Sequence, residues 1–218
     1  MIEKLMKIQD ELNKFTIGED WVNMSNLNGK EINWWRCIYM ESVEAIDSLD
    51  WKHWKSQKDD FENLKVEVVD ILHFILSLMI KYEKYASKLS YTIGSEVKGM
   101  LDNNTSLIYN FEKLINITSD TSSDNELKLN NLILRFNVLL SALNKEEIMD
   151  KNELYSLYVG KSVLNLFRQK HGYKDGTYKK IWAGVEDNVH MQTILETESD
   201  PDKIYKILEE TYKAVDTQ

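Results

Sequence analysis

The sequence predicts an all-α protein, a multi-helix bundle, and three observations carry that reading. One proline and eight glycines in 218 residues are few breakers for a chain of this length. Apolar residues recur at steps of three and four, the spacing that lines one face of a helix. No stretch reads convincingly as a strand.

The first helix is expected at about 1–15, MIEKLMKIQDELNKF, where Ile2, Leu5, Met6, Ile8 and Leu12 form an apolar stripe. A polar connection, GEDWVNMSNLNGKE, leads to a second helix at about 32–48. A third is expected at about 61–84, after the aromatic and basic linker DWKHWKSQKDD. From about 86 the chain turns polar, with LDNNTS and TSDTSSDN as loop signals around the weaker helical segment SLIYNFEKLI. Residues 86–150 are therefore expected to form a mobile or inserted helical subdomain within one domain spanning 1–218. Helices resume at about 126–144 and 149–170, and HGYKDGTYKKIWAGVEDN reads as a glycine-punctuated turn. The last helix is expected to start at SDPDKIY, with Asp200 as its cap and Pro201 in its first position, and to end near 215.

A chain of this length can bury a core without covalent staples. Cys37, within NWWRCIYM, has no second cysteine to pair with and is expected to pack in the core, as in a reducing compartment. The longest apolar run, VVDILHFILSLMI, is shorter than the roughly 20 residues of a bilayer span, and no leader pattern opens the chain. A soluble cytoplasmic protein without a membrane partner is expected. A net charge of -9 disfavours a nucleic-acid polymer, whose binding needs a basic face, but allows a small phosphate ligand held by local cations or a metal.

Two acid pairs stand out, Glu41 and Glu44 in ESVE and Glu67 and Asp70 in EVVD. Each pair is spaced i, i+3, which puts both carboxylates on one helix face. The second pair lies in LKVEVVDILHFILSLMI, apolar almost all round, so its carboxylates require protons, cationic side chains or a metal. Two like charges at 4 Å repel by about 4 kcal/mol at an effective dielectric of 20, so four converging acids cannot all stay ionised without cations. Oxygen ligands without cysteine suit Mg²⁺ or Mn²⁺, and Mg²⁺ bridges carboxylates to substrate phosphates. The ordinary reading of the first pair is a solvated face paired with Arg36, Lys52 or Lys55, and Asp47 extends the same stripe.

The counter-charge lies near the C-terminus, in YVGKSVLNLFRQKHGYKDGTYKKIW. Lys161, Asn165 and Arg168 follow i, i+4, i+7 and share a helix face. They can offer an ammonium, an amide and a bidentate guanidinium to one phosphorylated ligand. Lys170, Lys174, Lys179 and Lys180 follow, around a turn able to close on a phosphate tail. Gln9 and Asn13, i and i+4 in IQDELN, are amides of the kind that read a base edge, although such a pair on its own is ordinarily surface polarity. The histidines at 53, 73, 171 and 190 show no metal-ligand spacing and receive no role.

Together IQDELN, WWRCIYMESVEAIDSLDWKHWK, EVVDILHFILSL and YVGKSVLNLFRQKHGYKDGTYKKIWAGVEDN resemble the dimeric all-α dUTPases, Campylobacter-like branch, of the all-α NTP pyrophosphatase superfamily. The resemblance implies Mg²⁺-dependent hydrolysis of dUTP and dUDP to dUMP by a homodimer, with water attacking the β-phosphorus. It implies Glu41, Glu44, Glu67 and Asp70 as metal ligands, with Glu41 or Glu44 orienting or deprotonating the water. Lys161, Arg168, Tyr173, Lys174 and Lys179 match the phosphate-gripping region. Gln9 and Asn13 match uracil-reading amides, Asn165 the sugar contact, and Phe74 with Trp54 or Trp51 the base pocket. Two other readings share these residues: a related all-α pyrophosphatase acting on another nucleotide, and a non-catalytic helical binder whose acids form a regulatory cation site.

Overall fold

Short polar side chains fix where the helices begin. The computed structural model describes residues 2–82, 106–121 and 124–216. Helix α1 spans Ile2–Thr16, α2 spans Trp34–Asp47 and α3 spans Phe61–Lys81. Asn33 caps α2 by accepting from the Arg36 amide at 3.0 Å, and Asp60 caps α3 through Asn63 at 3.0 Å. Ser106, Asp124 and Asp150 do the same for α4 (Leu107–Ser119), α5 (Asn125–Lys145) and α6 (Lys151–Lys170). Helix α7 spans Asp187–Leu195, and α8 spans Pro201–Asp216, where Asp200 accepts from the amides of Asp202 and Lys203. A cap of this kind stabilises a helix by about 1 kcal/mol.

Two features depart from the expectation. Short antiparallel hairpins occur, β1 (Asn26–Leu27) with β2 (Lys30–Glu31), and β3 (Ile181–Trp182) with β4 (Val185–Glu186). Their two-residue turns, Asn28-Gly29 and Ala183-Gly184, have positive φ at both positions, as a right-twisted hairpin demands. The second departure is α7, whose first two residues end the stretch expected to be turn and whose remainder has no element assigned to it. Its sequence DNVHMQTIL carries no clear apolar stripe, and its place is set by packing on α6.

Helix α3 is the hub. Val68, Ile71, Leu72, Ile75 and Leu76 are fully buried on it, and α1, α2, α5 and α6 all pack against it. A helix apolar on nearly every side is stable only when neighbours cover it all round. Residues 86–105 and 122–123 of the expected subdomain, and 83–84 of the expected third helix, lie outside the described residues. The described part of that stretch, α4 and α5, pairs with itself and packs on α2, and Phe111, Leu114 and Phe136 join the common core. Cys37 is half-buried in α2, where burial pushes its thiol up to about 11. On the other side α7 and α8 cover α6. Gly160 lets α7 approach α6 closely, since a Cβ there would lie 2.6 Å from a Leu195 methyl.

Candidate active site

The site is built where α1, α2, α3 and α6 meet. Glu41 on α2 and Glu67 and Asp70 on α3 each bring a carboxylate oxygen within 4.8 Å of the other two. Glu67 is buried, and Glu41 and Asp70 are partly covered. Burial, then repulsion from Asp70, then a hydrogen bond with Glu67 raise the Glu41 carboxyl to about 9. Burial and Asp70 likewise lift Glu67, to about 7, while Glu41 and Lys161 pull it down. Burial and crowding thus favour one proton shared between Glu41 and Glu67. Glu44 is exposed one turn further on, and its charge adds to the repulsion on both.

The ordinary surface pairing does not form at these acids. Arg36 bonds Glu31 at 3.2 Å and Lys52 bonds Asp47 at 2.5 Å. Among the described residues, the cation that reaches the cluster is Lys161, whose Nζ lies 2.9 Å from Asp70 Oδ2 and donates to Asn188 Oδ1 at 2.9 Å. One ammonium against three crowded carboxylates, with a proton shared between two of them, leaves a site whose oxygen donors fit a divalent cation.

Two depressions flank the cluster. A cavity of about 510 Å³ is walled by Gln9, Asn13, Trp34, Asp70, His73, Phe74, Asn165, Arg168, Tyr173 and Lys174, among others. That volume is in the range of small-ligand sites. On the far side a polar groove of about 410 Å³ is lined by Glu44, Asp47, Ser48, Asn63 and Glu67. Glu67 thus faces the groove and Asp70 the larger cavity.

Of the residues singled out in the sequence, the cavity gathers Gln9, Asn13, Asp70, Phe74, Asn165, Arg168, Tyr173 and Lys174. Lys179 is exposed and does not line it. Neither linker tryptophan lines it. Trp54 is 63% exposed and packs edge-on against Trp51. The aromatic wall is made instead by Trp34 and Phe74, ring centroids 5.9 Å apart.

A family model described as dUTPase matches residues 1–173, most of the chain. The chain belongs to the dUTPase family. It is an enzyme, a dUTP diphosphatase, and among curated proteins none matches it. Lys174, Lys179 and helix α7 lie beyond the matched stretch.

In this dUTPase two residues at or beside the cavity, Asp187 and His73, receive no role from the sequence. Arg168 is pinned by Asp187, with Nε to Oδ2 and Nη2 to Oδ1 both at 2.8 Å. It also donates to Asn165 Oδ1 and Asn188 Oδ1, each at 3.2 Å. Burial alone would raise Asp187, but the Arg168 pair and a hydrogen bond from Tyr178 hold it below the usual carboxylate range. His73 is buried, and desolvation pushes it down to about 4, so the imidazole is neutral near pH 7. The signal for Asp187 was its position as an acid five residues after the basic stretch. His73, one turn beyond Asp70, could have been found as a polar residue on an apolar helix.

Proposed function

We propose that this dUTPase hydrolyses dUTP, and also dUDP, to dUMP in a Mg²⁺-dependent reaction in the cytoplasm, acting as a homodimer. The observation that carries the reading is the acid cluster of Glu41, Glu67 and Asp70, whose Asp70 lines a cavity that also holds Gln9, Asn13, Trp34, Phe74 and Arg168. Mg²⁺ held by these acids, with Glu44 beside them, would offset triphosphate charge and polarise phosphoryl oxygens.

The chain's own groups supply the rest. Gln9 and Asn13 read the base edge while Trp34 and Phe74 sandwich or flank its ring. Asn165 and Asp70 hold the sugar. Arg168, Lys161, Tyr173 and Lys174 take the phosphate oxygens, where preformed charge is most effective in stabilising a transition state. Lys179 joins only if the exposed 173–180 turn folds inward over the phosphates, a closure that would exclude water. Glu41 or Glu44 orients water onto the β-phosphorus, and a site that hydrogen-bonds one base rejects another that leaves its groups unpaired. Trp54, Trp51, Met40 and Val43, all exposed in one chain, are the aromatic and apolar surface a second subunit would cover.

The test is turnover with Mg²⁺ and, separately, dUTP, dUDP, UTP, dCTP and dTTP, with products resolved chromatographically. Formation of dUMP from dUTP and dUDP, stopped by EDTA and weak on the others, is expected. Preference for another nucleotide would overturn the uracil reading. Light scattering that gives a monomer mass at assay concentration would overturn the dimer.

A further inference from the structure

Beneath the cavity floor runs a closed chain of hydrogen bonds. The Tyr158 hydroxyl, fully buried on α6, lies 2.8 Å from Gln9 Oε1 and 3.4 Å from the Leu5 carbonyl. Its single proton therefore goes to Gln9. Gln9 Nε2 donates to Asn13 Oδ1 at 2.9 Å, Asn13 Nδ2 donates to Ser77 Oγ at 2.9 Å, and Ser77 donates to the His73 carbonyl at 3.0 Å. His73 Nδ1 lies 2.6 Å from the same Gln9 Oε1, and its ring stacks on Tyr158 at 4.2 Å.

The direction of this chain has one consequence for the imidazole. An amide oxygen facing Nδ1 at that distance requires the proton to sit on Nδ1, since two lone pairs would repel. The neutral ring then carries a bare lone pair on Nε2. Among the described residues no hydrogen-bond partner reaches that buried nitrogen, and His73 is one of the residues that line the cavity. Were the Gln9 amide turned over, Nε2 of Gln9 would donate to Nδ1 and His73 would show the cavity an N–H instead. The Tyr158 proton would be left with only the distant Leu5 carbonyl.

We infer that Tyr158 is a positioning residue for base selection: its hydroxyl fixes the Gln9 amide and thereby the His73 tautomer, so that the buried, unpartnered Nε2 is kept as an acceptor for a base seated against His73. Among the described residues, the Gln9 and Asn13 amide nitrogens each donate one bond and keep a second proton. An acceptor accompanied by donors complements a pyrimidine whose ring N–H stands between two carbonyls. It mismatches a cytosine, which presents a bare ring nitrogen and an amine. The inference rests on the nucleoside reading of the cavity, but its first readout does not.

That readout is the nitrogen-15 spectrum of the His73 side chain in the free protein, assigned by loss of its signals in His73→Gln. The wild type is expected to hold the proton on Nδ1, and Tyr158→Phe to give a mixture of tautomers. Ser77→Ala, which perturbs the far end of the chain but spares the hydroxyl, is expected to keep the wild-type tautomer. Calorimetry with dUMP and dCMP follows, and Tyr158→Phe is expected to reduce the wild-type preference for dUMP at least tenfold. A wild-type proton on Nε2 overturns the inference whether or not the variant folds. So does a folded Tyr158→Phe with unchanged tautomer and unchanged preference. If the tautomer and the dUMP preference behave as stated while no dUTP is turned over, the proposed reaction fails and the lock stands.

Discussion

Asp187 and Arg168 show how much one unforeseen residue can carry. Both are buried, and the pair is bidentate. Removing one partner from such a pair strands a charge and costs about 3–5 kcal/mol. Urea unfolding of Asp187→Ala is expected to show a loss of that size, whereas the double variant Arg168→Met, Asp187→Leu should lose clearly less than the two single changes summed. Equal additive losses would mean the two charges do not depend on each other. Glu41 gives the opposite sign. Its carboxyl is repelled by Asp70, Glu67 and Glu44, so Glu41→Gln is expected to raise the melting temperature of the metal-free protein. The same change should lower turnover by at least about a hundredfold, the usual scale for a group that acts on the proton or water of the reaction. A variant that is active at near wild-type rate would remove Glu41 from the chemistry.

At the scale of elements, most helices were readable because each has a cap and a stripe: Asp60 before Phe61, Asp200 before Pro201, and Leu5 with Ile2 on α1. The hairpins were not read, although Asn28-Gly29 is a strong local signal for a turn with positive φ. Ala183-Gly184 gave less warning, because alanine rarely adopts φ of 48°. That exposed alanine sits in a left-handed conformation that costs an ordinary residue about 1–2 kcal/mol and asparagine less. Ala183→Asn is therefore expected to stabilise the protein by about 0.5–1 kcal/mol, measured by chemical denaturation. Helix α7 was missed because nothing in its own sequence marks it; Gly160 on α6 makes its seat. The acid pairs and the Lys161-Asn165-Arg168 face were legible as spacing. Which acids converge was not, since it depends on how α2 turns against α3, and that rotation leaves Glu44 outside the closest trio.

For the whole molecule, the acid cluster links stability to both protons and cations. A carboxyl raised above its unfolded value makes the folded state bind protons more tightly than the unfolded one. Its penalty is absent below the unfolded value and grows as pH rises towards the folded value. For Glu41 and Glu67 that window runs from about 4.5 to about 9 and to about 7 respectively. The metal-free protein is therefore expected to melt lower at pH 8.5 than at pH 6, as far as these groups decide it. A divalent cation should raise the melting temperature more at pH 8.5 than at pH 6, because fewer protons compete there. A difference of at least about 2 °C is the expected scale, since 1 kcal/mol moves a chain of this size by about 2–4 °C. An equal shift at both values would separate cation binding from these carboxyls.

The wall that Glu67 and Asp70 form between the two depressions has an isotopic consequence. In-line displacement puts the entering oxygen opposite the departing one. The proposed function puts the nucleoside in the larger cavity; if water enters on the groove side beside Glu44, the departing group is the one still attached to the nucleoside. Hydrolysis of dUTP in oxygen-18 water should then leave the heavy atom in pyrophosphate and none in dUMP. Heavy oxygen in dUMP would instead mean that the wall does not divide entering from departing oxygen.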